Sequence, residues 1–242
     1  MSVISFGAGV NSTAMTIMLV NRGWRGPILF ADTGAEWPET YCYLDYFEQE
    51  WLRPRGLEMT RLGPKCHKDR YVVSLIEYCE LLQITPFAGA RWCTRDWKVA
   101  PIGAWCQEHG EAEQLVGIAA DEAHRQKGRL CPLIDAGVDR KGCIEIIQGE
   151  RLDVPQKSGC YICPFQRLAQ WRDLWRLHPD LFERASRLED LSTERRGVQA
   201  HIRVGGEFTL RQLAVRFSAE KTLWTDDEME SLQQYKPCVC GL

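Results

Sequence analysis

Val3-Ile4-Ser5-Phe6-Gly7-Ala8-Gly9-Val10-Asn11-Ser12, near the amino end of a 242-residue chain, decides the fold class. Residues 3–6 are a short β-rich run, 7–12 a turn of small residues, and 13–20 an apolar stretch of helical length. Strand, small-residue loop and helix in that order make a βα unit. A second unit follows. Residues 27–31 are an apolar run ending in Asp32-Thr33-Gly34, and residues 38–51 carry Tyr43, Phe47 and Trp51 at i, i+4 and i+8, the stripe of a helix. Pro38 suits the first turn of that helix. Residues 57–60 and 114–118 read as further strands, and 72–82 and 97–109 as helices. Strands alternating with helices predict an α/β fold with a doubly wound, mostly parallel sheet.

The pattern loosens over residues 128–164, where Gly, Pro and Cys are frequent. Residues 166–187 read as one helix with Leu168, Trp171, Leu174, Trp175 and Leu177 on one side. The chain ends Lys236-Pro237-Cys238-Val239-Cys240-Gly241-Leu242. The expected division is an α/β domain over 1–165 and a helical extension with a cysteine tail over 166–242.

Composition narrows the function classes. Hydrophobic residues make up 45% of the chain, enough to bury a core without disulfides. The 30 basic residues are outnumbered by 33 acidic ones, so no polybasic excess marks a duplex-DNA binder. No apolar run approaches the ~20 residues that span a bilayer, and no leader precedes the first strand, so a cytoplasmic protein without membrane association is expected. The eleven cysteines are the anomaly. In a reducing compartment, thiols in that number serve metal or redox chemistry more often than disulfides. Cys42, Cys79 and Cys106 fall in amphipathic stretches and read as small buried hydrophobes.

Four elements carry chemistry. The first loop leaves backbone N–H groups at a helix N-terminus, where they and the helix dipole suit phosphate or sulfate, and Ser12 and Thr13 add hydroxyls. Asp32-Thr33-Gly34 lies at the carboxyl end of the second strand, where ligands of open α/β sheets bind, and Asp32 either holds a ligand or caps the next helix. Cys160-Tyr161-Ile162-Cys163 is a C-x-x-C turn that can bring two thiolates to one metal or cluster, or form a redox pair. Its best partners are Cys93 and Cys131, with Cys66 and His67 poorer ones, and four thiolates favour an iron–sulfur cluster or zinc. Cys240, close to the end of the sequence, can attack a bound substrate and be regenerated by an external reductant.

Taken together, these elements resemble the phosphoadenylyl-sulfate and adenylyl-sulfate reductase family of the PP-loop adenine-nucleotide superfamily. Residues 5–12 resemble its PP-loop, and Asp32-Thr33-Gly34 with Pro38-Glu39-Thr40 matches its D-T-G…P-E-T stretch. Arg91-Trp92-Cys93-Thr94 with Lys98 and Pro101 is similar to the segment around its cluster cysteines. Gly117-Ile118 with Asp121, Glu122 and Arg125 resembles its nucleotide-contacting strand and loop. Gly159-Cys160-Tyr161-Ile162-Cys163-Pro164 looks like its G-C-x-x-C, and Cys240-Gly241-Leu242 like its C-G-[IL] tail. The chain departs from the pattern at Ala8, at Asn11 in place of an aspartate, and at Trp92 in place of a second adjacent cysteine.

The resemblance implies a sulfonucleotide reductase reducing adenylyl sulfate or phosphoadenylyl sulfate to sulfite. Cys240 would be its nucleophile and a thioredoxin-like protein its reductant. It implies nucleotide contacts at Ser5, Gly7, Gly9, Asn11, Ser12, Thr13, Asp32, Thr33, Gly34, Lys98, Gly117 and Arg125. It also implies a 4Fe-4S cluster on Cys93, Cys131, Cys160 and Cys163, with zinc as the alternative. Two rival expectations stand beside it: an ATP-dependent PP-loop sulfur transferase acting on nucleic acid, and a non-catalytic nucleotide- or metal-binding module. Asn11 argues against ATP cleavage, because the aspartate it replaces is associated with pyrophosphate and metal in the ATP-cleaving members.

Overall fold

The computed structural model describes residues 2–63, 72–110, 113–203 and 206–219. In chain order its elements are β1 (Ser2–Ser5), α1 (Val10–Asn21), β2 (Ile28–Ala31), α2 (Pro38–Phe47), β3 (Met59–Leu62), α3 (Leu75–Leu82), α4 (Trp92–Thr94), α5 (Ala100–Glu108), β4 (Glu113–Val116), α6 (Pro132–Asp135), α7 (Arg140–Gly149), α8 (Leu168–Leu177), α9 (Pro179–Arg196) and α10 (Leu210–Ala219). They pack as two compact units. One draws on the described parts of 1–65 and 94–159, the other on those of 66–93 and 160–239. No described helix is long and apolar enough to cross a membrane.

In the first unit the four strands are all parallel, in the order β3-β2-β1-β4. The chain steps outward from β1 to β3 and then returns to the other side of β1. The point of reversal, between β1 and β4, is the switch point at which open α/β sheets hold ligands. Alternation along the strands explains the double cover. Ile4, Phe6, Ile28 and Phe30 enter the large core with α1, α2 and α7, while Val3, Leu29 and Ala31 pack on the other face with Ile102 and Cys106 of α5. The fold is therefore the doubly wound α/β class that the sequence predicts.

The i, i+4, i+8 stripe behaves as expected. Phe6 stacks on Phe47 with ring centroids 5.4 Å apart, and Phe47 on Trp51 at 5.3 Å. Cys42, expected inside, lies exposed on α2, because its neighbour Tyr43 takes the core-facing position. Cys79 and Cys106 are buried as expected. α7 was not anticipated. It lies along α1, and Glu150 just beyond its last turn accepts hydrogen bonds from Asn21 Nδ2 (2.8 Å), Trp51 Nε1 (2.9 Å) and Arg55 Nη2 (2.8 Å).

The second unit is helical. The single helix expected over residues 166–187 is instead two, α8 and α9, broken at His178. Pro179 lacks the N–H that would continue the ladder and disfavours helical backbone in the residue before it. Trp171 of α8 meets the edge of Phe182 of α9 at 6.4 Å. Arg184 of α9 grips Glu80 of α3 through two bonds of 2.7 Å, and bidentate pairs of this kind fix geometry as well as charge.

Glu189 of α9 is buried and accepts hydrogen bonds from the backbone N–H groups of Ile202 (2.8 Å) and Leu210 (2.6 Å), tying the start of α10 to α9. Burial pushes its carboxyl up to about 7 from an ordinary 4.5, against the two backbone donors that favour the anion. A raised folded-state value means that this group's stabilising share is complete below the unfolded pKa and lost as pH rises through the folded one. Between about pH 5 and about pH 8 the loss approaches roughly 3 kcal/mol. Urea midpoints measured across that range should fall for the wild type, and Glu189→Gln should flatten the slope. An identical slope in the variant would exclude Glu189 as its source.

Candidate functional site

The switch point of the first unit is built around an unusually close backbone approach. A Cβ on residue 117 would lie 2.7 Å from both N and Cα of Ser12, so only glycine lets the loop after β4 reach the start of α1. The first loop is stapled from within. Gly9 N–H donates to Ser12 Oγ (3.2 Å), while the Ser12 and Thr13 hydroxyls both donate to Gly9 O at 3.0 Å. Gly9 is the N-cap of α1, and the first turn of that helix contains no acidic residue. Thr13 is fully buried, which makes its hydroxyl a packing group of the loop. Ser5, at the end of β1, is buried, and its Oγ has no hydrogen-bond partner among the described residues.

Residues 158 and 159 join this loop to the next. Ser158 Oγ donates to Gly7 O (2.7 Å), and Trp37 N–H donates to Gly159 O (3.1 Å). In the second loop Asp32 Oδ1 accepts from Gly34 N–H and Tyr41 Oη, each at 2.7 Å. Asp32 does not cap α2, whose N-cap is Trp37; its contacts are those of a loop brace. Burial, followed by the bond to Asp32, pushes the Tyr41 phenol well above its ordinary range, so it stays a donor. Thr33 is buried, and its Oγ1 lies 3.1 Å from Glu36 Oε1.

Glu36 was missed by the sequence reading. It is buried beneath the second loop and pairs with Lys98 Nζ at 2.9 Å. Lys98, expected to neutralise a ligand, thus has a buried carboxylate as partner and brings little net charge to the loop. A lone carboxylate between Ala35 and Trp37 has no spacing that would have marked it. Arg125, from the same expectation, bonds through Nη1 to Glu122 Oε1, and Glu122 Oε2 accepts from Asn11 Nδ2 at 3.0 Å. Asn11, Gly117, Glu122 and Arg125 therefore do come together, at the switch point.

The thiols divide differently. Cys160 and Cys163 are closed by a tight turn, with Cys163 N–H donating to Cys160 O at 3.0 Å. Gln166 Nε2 holds Tyr161 O at 2.7 Å. The Tyr161 phenol is pushed up to about 12, chiefly by burial, against the nearby Arg184 charge. These cysteines and the half-buried Cys93 belong to the second unit. Cys131 belongs to the first, fully buried with Val116 and Ile118, where burial raises its thiol above the usual range. Cys143, not singled out from sequence, is buried in the large core and pushed up to about 12 by burial. Among the described residues, no three of His, Cys, Asp and Glu gather closely enough to hold a metal. The described side chains thus do not by themselves form a cluster site. Cys66, His67, Cys238 and Cys240 lie outside the described residues.

Two comparisons bear on this arrangement. The family described as the phosphoadenosine phosphosulfate reductase domain matches residues 1–135, which cover β1 to α6 and so the loops of the switch point. An uncharacterized nin region protein, ORF290, of Escherichia phage lambda is 25% identical over 146 residues, 52% of this chain and 50% of the relative. The match thus spans half the length of that relative. With more than half its length matched and the switch-point loops inside the match, the chain belongs to the phosphoadenosine phosphosulfate reductase domain family.

Proposed function

We propose that the chain is a sulfonucleotide reductase that cleaves adenylyl sulfate or phosphoadenylyl sulfate to sulfite. One observation carries the reading. The helix N-terminus beside Gly117 has no acidic residue in its first turn and has guanidinium groups close by, at the switch point of a sheet whose family handles sulfonucleotides. The nucleotide lies across the carboxyl ends of the strands with its sulfate and phosphate toward the first loop. The Cys240 thiolate attacks the sulfate sulfur, forming an S–S bond as the bond from sulfur to the bridging oxygen breaks. The nucleotide leaves as its phosphate, and the enzyme holds a thiosulfonate. A dithiol reductant of the thioredoxin type attacks Cys240 Sγ, sulfite leaves with the bonding pair, and the second thiol resolves the mixed disulfide. Two electrons pass from the dithiol to sulfur, and the two thiol protons go to the medium or to the regenerated Cys240.

Anaerobic incubation with each sulfonucleotide and reduced thioredoxin should release sulfite in proportion to nucleotide consumed, and Cys240→Ser should release none. Full activity in that variant would contradict the nucleophile. Release of pyrophosphate from ATP, with no sulfite from either sulfonucleotide, would replace the reading with an ATP-dependent sulfur transferase.

The 4Fe-4S cluster remains part of the proposal, resting on the family resemblance and on the C-x-x-C turn. Its chemistry would be to polarise the sulfate, and of the thiolates expected to hold it Cys160 and Cys163 share one tight turn. Anaerobically purified protein should be brown and carry about four irons and four sulfides per chain. Colourless protein, or protein carrying only zinc, would remove the cluster and leave the thiol chemistry standing.

A further inference from the structure

α1 and α7 lie side by side and point the same way. Asn11 in the first turn of α1 bonds to Arg140 in the first turn of α7 (Nη1 to Oδ1, 3.1 Å), and Asn21 at the far end of α1 bonds to Glu150 beyond the far end of α7 (2.8 Å). Two parallel helix dipoles therefore bring their positive ends to one place. The end of α7 is answered by the protein itself. Asp139 Oδ1 accepts from Gly142 N–H (2.8 Å), and Asp121 Oδ1 accepts from Arg140 N–H (3.1 Å). The end of α1 has a glycine cap and no carboxylate in its first turn.

Asn11 is the hinge of this arrangement. Its amide donates to Glu122 and accepts from Arg140 at the same time. An aspartate could accept from Arg140 but would set a second negative charge against Glu122. Glu122 in turn holds Arg125, whose side chain is only 11% exposed and whose buried Nε has no hydrogen-bond partner among the described residues. Arg140 is exposed, and one bond to Asn11 leaves the rest of its donor fork for a ligand. Arg140 also lies beyond residues 1–135, the stretch that the family match covers.

We propose that Arg140, oriented by Asn11, is a specificity-determining residue of this site and reads the anionic group of the nucleotide placed at the first loop; this rests on the reductase reading above. Arg140 supplies the charge that Lys98, paired with Glu36, does not. Asn11 is a positioning residue, acting through Arg140.

The test is calorimetric binding to the full anaerobic chain, with adenylyl sulfate, AMP and adenosine as probes. Arg140→Ala should weaken adenylyl sulfate and AMP roughly 10- to 100-fold, the range for losing a charge-assisted hydrogen bond. Adenosine, which lacks the anion, should hold within about twofold, because only a charge-reading role separates the probes. Arg140→Lys should recover part of the loss, since a point charge remains without the planar fork. Equal weakening of adenosine would show a merely structural role, and wild-type affinity for adenylyl sulfate in Arg140→Ala would overturn the proposal outright. Failure of the wild-type chain to bind any of the three probes, and phosphoadenylyl sulfate as well, would instead sink the reductase reading, and this inference with it.

Discussion

The loop after β4 reaches the start of α1 because residue 117 has no side chain. At 2.7 Å from Ser12 N and Cα, any Cβ would have to displace backbone on both sides. That approach brings the Ala120–Arg125 turn, with its local Arg125–Glu122 pair, against the first loop, so that Glu122 meets Asn11. Without it, the first loop would be braced by its own hydroxyls, by Ser158 and by the Arg140 bond to Asn11. With it, residues more than a hundred positions apart form one polar surface at the switch point of the sheet.

Electrostatics at that surface is settled by which charges are already answered. Lys98 is neutralised by Glu36, with side-chain exposures of 16% and 1%, and the end of α7 is neutralised by Asp139 and Asp121. Among the described residues, the positive end of α1 has Arg125 and Arg140 beside it, with Glu122 as the carboxylate that joins Arg125 to Asn11. On the proposed reading, an oxyanion at the start of α1 would meet backbone N–H groups and guanidinium groups together. In that proposal, glycine and small residues would admit the ligand, and guanidinium groups held by neighbours' side chains would supply the charge.

Much of this was legible in the chain itself. The Val3–Phe6 run, the small-residue loop and the second apolar run announced the parallel sheet, and the Tyr43, Phe47 and Trp51 stripe announced α2. Period and punctuation are local properties, and they survive into the fold. α7 was hidden because Gly142 and the charged Asp139-Arg140-Lys141 interrupt its apolar pattern, which reduces to Cys143 and Ile147 on the buried side. The break at His178 was readable in Pro179 and was overridden by the apolar spacing on either side. Glu36 and Arg140 could not be found, since their meaning lies in partners that only the folded chain supplies.

A crystal structure of the anaerobic protein with adenylyl sulfate bound is the most direct measurement. The expected result is an oxyanion within hydrogen-bond distance of the backbone N–H groups at the start of α1, with the adenosine lying over the carboxyl ends of the strands. A nucleotide bound elsewhere, with the first turn of α1 facing only water, would contradict the central claim that this helix end is the anion site.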